Sequence, residues 1–469
     1  MPRRSIAAVL LGVVAATAGL SSRQNPRTLG TPGVETFSRR VVATDLANPW
    51  EVTWGPDGHL WITERTASRV TRVNPADGSR RVALTLTDVH QSVVQDGLLG
   101  MALHPDLLTG RGRDYVYLAY TYDAEPGAAV SRRMRLDRYT YEASTSTLGA
   151  PALVLDNLPA GDDHGGGRLV VGPDGKLYLS RGDHGANFLK NYCLANRAQD
   201  LPDAGAIAAR DWSTYEGKIL RLELDGAIPA DNPMIRGVRS HIYSYGLRNP
   251  QGLAFGSTGR LYASEHGPAI DDEVDLIQAG KNYGWPHVAG FNDDRGYVFA
   301  NWAGSAAVPC PSLKFDNLKP PPSVPIVQES AWTHPDFVAP LVTFFTVPAG
   351  YDLATHGNAT IAPGSIEAYT SAGIPGWRSS LLVTGMRTGA VYRVRLNDDG
   401  TAITGQPFEY FRRANRYRDT AVSPDGRRIF VVTDSFGSVL DERWQRTETL
   451  AEPGAVLEFT YAPASREQR

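Results

Sequence analysis

Apolar and polar residues alternate along this chain in short runs, and tight turns set the runs apart. One phrase returns four times: an apolar residue, a turn of the type Gly-Pro-Asp-Gly, then an alternating strand. It reads WGPDGHLWITE from Trp54, VGPDGKLYLSRGD from Val171, FGSTGRLYASEHG from Phe255 and VSPDGRRIFVVTDSFG from Val422. Proline presets one turn angle, and glycine takes the positive φ that such a turn needs. The alternation after each turn is the two-residue period of a half-buried strand. The turn-closing glycines fall at 58, 175, 259 and 426. The last gap, 167 residues, is about twice the 84 before it, as if one unit between lacked the phrase. Further strands lie between the phrases, such as RDYVYLAYTY and SSLLVTGMRTGAVYRVRL. No long amphipathic helix stands out. Recurring strand-turn-strand units at long periods predict an all-β chain folded as a β-propeller.

Composition agrees with this. The 469 residues include 47 glycines and 32 prolines, too many for a helical bundle and natural for short strands joined by turns. A formal charge of −3 points to neither nucleic acid nor a membrane surface. The first residues, MPRRSIAAVLLGVVAATAGLSSRQ, read as a secretory signal peptide and short linker over residues 1–24. Arg3 and Arg4 form a basic start, and Ile6 to Ala16 is an apolar run too short to span a bilayer. Ala16-Thr17-Ala18 is a small-x-small cleavage site. Loss of Arg3 and Arg4 takes the formal charge to about −5. The expectation is a secreted or periplasmic protein, exported by the general or the twin-arginine route, with a single propeller domain over residues 35–462. The two cysteines, Cys193 and Cys310, could pair in an oxidising compartment; two buried free thiols are the alternative.

A propeller names no activity, so chemistry has to come from particular residues. In GDDHGGGRLV, His164 follows two acids, Asp162 and Asp163, and precedes three glycines. Such a histidine suits proton transfer, and equally a polar loop. In FRRANRYRDT, Arg416 and Arg418 alternate, so on a strand they share a side. Planar guanidinium groups suit carboxylates or phosphates, although a solvated charged edge is the commoner origin of such a run. In YGLRNPQGLAF, Arg248 and Asn249 precede a proline turn. In SEHGPAIDDEVDLI, backbone carbonyls at a Gly-Pro step and nearby acids suit calcium, without the EF-hand spacing. Gln95 precedes an apolar strand in VVQDGLLGMALHPDL. Singly, each fits a structural role as well as a functional one.

Together and in order, these stretches resemble the soluble quinoprotein glucose dehydrogenases of the glucose/sorbosone dehydrogenase family. The likeness runs from about Val41 to Tyr461. It rests on QDGLLG, DH followed by GRLVVGPDG, YEGKILRL, LRNPQGLAF, HGP followed by DDE, KNYGWPHVAG and NRYRD. The resemblance implies a six-bladed β-propeller with four-stranded antiparallel blades, carrying pyrroloquinoline quinone (PQQ) and Ca2+ at one end of its axis. It implies oxidation of the anomeric C1 hydroxyl of aldose sugars to lactones by hydride transfer to PQQ, with a quinone or cytochrome as electron acceptor. His164 takes the position of the general base, which an imidazole titrating near neutral pH suits. Asp163 is expected to orient its ring. Arg248 is expected to stabilise charge on the quinone oxygen. Gln95, Asn249, Arg387, Arg416 and Arg418 are expected to hold PQQ, with Arg387 standing where the family usually has a lysine. The carbonyls of Gly267 and Pro268 are expected to ligate the cofactor's calcium. Further calcium sites map to Glu273 with Tyr283, and to Ala289, Phe291, Asp293 and Glu329, with Phe291 replacing a tyrosine. The family's glucose enzymes are dimers, so a homodimer is carried as an expectation.

One region departs from the pattern. The glutamine-leucine pair that lines the sugar pocket reads Phe188-Leu189 here. The longer aromatic loop that closes over glucose is shortened to about YDLATHGNATI, Tyr351 to Ile361, and the family's loop disulfide is absent. A lost sugar hydrogen bond and a lost stacking wall argue for a broader aldose or aldehyde preference. Two other readings stand beside this one, a calcium-dependent propeller lactonase and a non-catalytic binding propeller. Neither would need the arginine cluster.

Overall fold

The computed structural model describes residues 29–30, 33, 35–92 and 95–463. The expected signal peptide lies outside them. Six four-stranded antiparallel sheets stand around an axis, one per blade. Their innermost strands are Pro49–Trp54, Leu98–Leu103, Gly166–Val171, Pro250–Phe255, Pro363–Tyr369 and Tyr417–Val422. The second strands are Leu60–Glu64, Tyr115–Asp123, Leu177–Arg181, Leu261–Glu265, Ser380–Gly385 and Arg428–Thr433. The chain is therefore a six-bladed β-propeller. Its helices are short, such as Ala204–Ala208 and Leu353–His356. No helix among the described residues is long and apolar enough to cross a membrane.

The repeated turn phrase joins the first and second strands of blades 1, 3, 4 and 6. Gly58, Gly175, Gly259 and Gly426 all sit there at φ of 71–75°. Blades 2 and 5 use other loops, and the one in blade 5 accounts for the doubled gap before the last phrase. The aspartate of the phrase ties the turn to the strand after it. Asp57 Oδ1 accepts from Trp61 Nε1 at 3.1 Å, and Asp174 Oδ2 accepts from Tyr178 Oη at 2.8 Å.

The ring closes within one sheet. Strand Thr36–Ala43, from the start of the chain, pairs with Val456–Ala462 from its end, with Thr36 opposite Ala462. The last blade thus combines the first and last long strands of the described residues, which closes the ring. Between blades, buried aromatic and aliphatic side chains fill the gaps. One cluster joins Tyr117 and Met134 of blade 2 to Leu179 and Leu220 of blade 3, with Trp212 and Tyr215 beside them.

Antiparallel pairing puts the starts of the innermost strands and the ends of the second strands at the same mouth of the axis. Below that mouth, Arg168 fills the axis. It pairs with Glu51 of blade 1 and, at 2.9 Å, with Asp419 of blade 6. Its Nε donates to the Gln251 carbonyl of blade 4 at 3.0 Å, and its guanidinium lies 4.3 Å from the Trp50 ring centre.

Candidate active site

The phrase GDDHGGG forms the loop entering blade 3, and its three polar residues divide the work. Asp162 binds Lys190 through its side chain and Gln95 N through its carbonyl, at 3.0 Å. Asp163 Oδ1 accepts from the His164 backbone N–H at 2.9 Å and from Gln95 Nε2 at 2.5 Å. His164 sits at φ 44°, a left-handed conformation costly for a residue with a side chain. Its carbonyl packs so close to Gly182 that a Cβ there would lie 1.8 Å away. The loop is held in one shape, with the imidazole aimed into a pocket at the axial mouth.

The carboxylate that orients the ring is Asp183, not Asp163. His164 Nδ1 lies 2.7 Å from Asp183 Oδ1. Asp163 spends its carboxylate on loop backbone and Gln95, so its oxygens serve the main chain of His164 and not the imidazole. Asp183 is fully buried and accepts three further bonds, from Gly185 N at 2.9 Å, Asn196 Nδ2 at 2.8 Å and Trp285 Nε1 at 2.7 Å. Burial raises its carboxyl, but His164 and then Arg248 outweigh that and hold it below the usual carboxylate range. The signal for it was present in SRGDHG, a second Asp-His-Gly phrase at the end of the adjoining strand.

Arg248 and Asn249 precede the innermost strand of blade 4. Arg248 is buried; its Nη1 donates to the His266 carbonyl at 3.2 Å, and its guanidinium lies 5.3 Å from Trp285 and 5.8 Å from Phe188. His266 is held well below its ordinary pKa by burial, and then by Arg248, His164 and Arg418 around it. His266 thus sits in the field of all three groups. Asn249 Oδ1 accepts from Gln251 Nε2 at 2.8 Å, while its Nδ2 is buried with no partner among the described residues.

Arg416 and Arg418 do share a side. Asp434 takes both, from Arg416 Nε at 3.0 Å and from Arg418 Nε at 2.9 Å. A third guanidinium, Arg65, adds to this cluster; burial and then Arg418 lower its pKa to about 10. Arg387 follows the second strand of blade 5 at the same mouth. Burial lowers its pKa, and it forms no ion pair among the described residues. Three guanidinium groups gather around Asp434, those of Arg416, Arg418 and Arg65; with Arg248, Arg387 and a spare amide donor at the same mouth, they suit a flat polyanion.

The cation sites can be tested against the same chemistry. Glu265, Glu273 and Asp275 are buried close together, and burial and then their mutual repulsion push each carboxyl well above its usual range. Among the described residues, both Asp275 oxygens and Glu265 Oε2 lack hydrogen-bond partners. Glu273 Oε1 accepts from Gly290 N at 2.7 Å. The Tyr283 hydroxyl donates to Leu276 O and accepts from Gln278 N, which leaves its carbonyl as the atom able to ligate. Glu329 accepts from Ala289 N and Asp294 N, both at 2.9 Å, so the turn carrying Phe291 and Asp293 wraps its carboxylate. Burial pushes Glu329 up to about 7. Asp271 Oδ1 is buried there without a hydrogen-bond partner among the described residues. Among the described residues no three His, Cys, Asp or Glu side chains already form a metal cage. A cation would rest on backbone carbonyls and one or two carboxylates, a mixture that suits calcium. Pro268 lines the pocket beside His164.

Phe188, Trp285, Tyr297 and Trp302 supply the pocket's aromatic walls, with Asn187 and Asn317 as amides. Leu189 is not among the walls; it begins a short 3-10 turn and is 54% exposed. Cys193 and Cys310 are bonded, with Cα atoms 5.6 Å apart. The bond joins the loop carrying Phe188 to the loop carrying Trp302. A wider cavity opens at the opposite mouth of the axis, beside Glu51 and Glu367. It holds none of the groups just described.

The comparisons with known proteins agree with this fold. The glucose/sorbosone dehydrogenase family model matches residues 46–342 and 347–441. The chain is 40% identical over 440 residues to quinoprotein glucose dehydrogenase B of Acinetobacter calcoaceticus, covering 91% of each chain. It is 27% identical over 412 residues to an aldose sugar dehydrogenase of Escherichia coli, covering 86% of this chain and 92% of that one. Among solved structures, it resembles the PQQ-bound aldose sugar dehydrogenase of Streptomyces coelicolor, with a TM-score of 0.63, 26% identity, and coverage of 92% of this chain and all of the other. On sequence and fold, the chain belongs to the glucose/sorbosone dehydrogenase family.

Proposed function

We propose that this protein is an exported, PQQ- and calcium-dependent aldose dehydrogenase that oxidises the anomeric C1 hydroxyl to a lactone and passes electrons to a quinone or cytochrome. The observation that carries the reading is the meeting of a His164–Asp183 pair with Arg248, Arg416, Arg418 and the unpartnered Asn249 amide at one mouth of the axis. When bound, PQQ supplies the hydride acceptor and calcium polarises its quinone carbonyl. Arg387, Arg416, Arg418, Asn249 and Gln95 would hold the cofactor, and the carbonyls of Gly267 and Pro268 its calcium.

The chain's own residues carry the proton chemistry. With Nδ1 committed to Asp183, the other ring nitrogen of His164, Nε2, takes the proton of the C1 hydroxyl. Asp183 fixes the ring's orientation and stabilises the imidazolium. Arg248, buried against Trp285 and Phe188, offers a cation where negative charge grows during the reaction. The aromatic walls exclude water and strengthen these interactions. With Phe188 in place of a hydrogen-bonding side chain, the pocket discriminates weakly among sugars. Several aldoses should turn over at comparable kcat/KM.

The test is reconstitution of metal-free apoprotein with PQQ and Ca2+, separately and together, followed by dye reduction across a panel of aldoses. Activity only with both supports the reading. Lactone hydrolysis without PQQ would replace it. Glucose exceeding every other aldose by orders of magnitude would overturn the broad preference. His164→Ala should lower turnover at least about 100-fold while leaving PQQ affinity unchanged; an active variant would remove His164 from its role.

A further inference from the structure

Gln251 lies beneath the mouth on the innermost strand of blade 4, with 3% of its surface exposed. Its side-chain oxygen accepts from Arg418 Nη1 at 3.4 Å, and its Nε2 donates to Asn249 Oδ1 at 2.8 Å. Arg168 holds the Gln251 backbone carbonyl at 3.0 Å. The direction of this chain follows from chemistry. A guanidinium only donates, so the Gln251 oxygen must face Arg418 and its nitrogen must face Asn249. Asn249 must then turn its own oxygen toward Gln251. Its Nδ2 is left pointing away, buried and without a partner. A buried donor left without an acceptor is costly, so a ligand acceptor is what the arrangement calls for.

We infer that Gln251 is a positioning residue, which sets the amide of Asn249 so that an N–H faces the anionic cofactor and couples that amide to Arg418. The inference rests on the PQQ reading above. Asp434 anchors the relay, since it holds Arg418 by two hydrogen bonds of 2.9 and 3.0 Å. Orientation thus passes from Asp434 through Arg418 and Gln251 to Asn249.

The test replaces Gln251 with a residue that can only accept. In Gln251→Glu, the carboxylate still accepts from Arg418 but can only accept from Asn249, so the asparagine amide flips and offers the cofactor its oxygen. PQQ titrated into the full-length apoprotein, followed by its absorption spectrum, should show affinity lowered about 10-fold or more. The isosteric Gln251→Met removes the relay without adding charge and should lower affinity less, about 3-fold. Both losses should largely vanish when measured against Asn249→Ala, because the relay then has no amide to set. Thermal unfolding of each variant checks that the fold is retained. Equal losses in the presence and absence of Asn249 would mean that Gln251 acts through charge or packing, and would overturn the inference. Tight PQQ binding by the unmodified chain with no change in any variant would overturn it too, and leave the PQQ reading standing. No binding by the unmodified chain would sink the PQQ reading, and the inference with it.

Discussion

At the scale of single residues, the division of labour between two aspartates is the most consequential feature. Asp163, next to His164 in sequence, shapes the loop; Asp183, nineteen residues away, holds the imidazole. Peptide geometry explains this. A residue adjacent to His164 easily reaches its backbone N–H, whereas a carboxylate across the blade can meet the ring edge-on. Asp183→Asn should therefore lower turnover at least about 100-fold, since a neutral amide cannot stabilise the imidazolium. It should also destabilise the fold by about 1–3 kcal/mol, because an amide group would meet donors from Gly185, Asn196 or Trp285. Asp163→Asn should be milder on both counts. Steady-state kinetics and denaturant unfolding of the two variants would check this, and a reversed ranking would restore Asp163 as the orienting acid. The sign of the pH effect follows from the depressed Asp183 carboxyl. The stability it contributes is present above the usual carboxylate range and is lost as pH falls through the lowered value.

At the scale of elements, two loops on different blades build the pocket wall, and the Cys193–Cys310 bond ties them together. Phe188 meets Phe315 edge-on at 5.8 Å, and Tyr192 meets Trp302 at 5.6 Å, so the bond lies behind a continuous aromatic wall. Replacing both cysteines by serine should raise KM for sugar about 3- to 10-fold through a looser wall. PQQ affinity, which rests on Arg387, Arg416, Arg418, Asn249 and Gln95 and not on these two loops, should stay unchanged. A change in cofactor affinity with no change in KM would show the opposite dependence. This wall was the least legible part of the sequence. The turn phrases and strand alternation declared the blades, because each is a local pattern of a dozen residues. The arginine pair declared its common side, because strand period fixes it. The cysteine pairing spans 117 residues, and the exposed position of Leu189 follows from a left-handed turn at φ 43°. Neither leaves a local pattern to read.

At the scale of the whole molecule, the axis joins the blades through charge. Arg168 bridges Glu51 and Asp419, partners 117 and 251 residues away, which is why no stretch of sequence announces the network. Glu367 faces the cavity at the opposite mouth. Burial, with Asp419 beside it, pushes its carboxyl up to about 8, and Arg168 only partly offsets this. An unfolded glutamate titrates near 4.3, so the folded state favours the protonated form. The stability this contributes is complete below the unfolded value and is lost as pH rises through about 8. Glu367→Gln keeps a neutral side chain of the same shape at every pH. Measured from about pH 6 to about pH 9, the melting temperature of the wild type should fall more than that of the variant, by about 1–3 °C. The variant should keep its aldose activity, because the site lies at the other mouth. Parallel melting curves would mean that water in the cavity solvates Glu367 well enough to ionise it at little cost, and that the ring is held by packing and the Arg168 bridges alone.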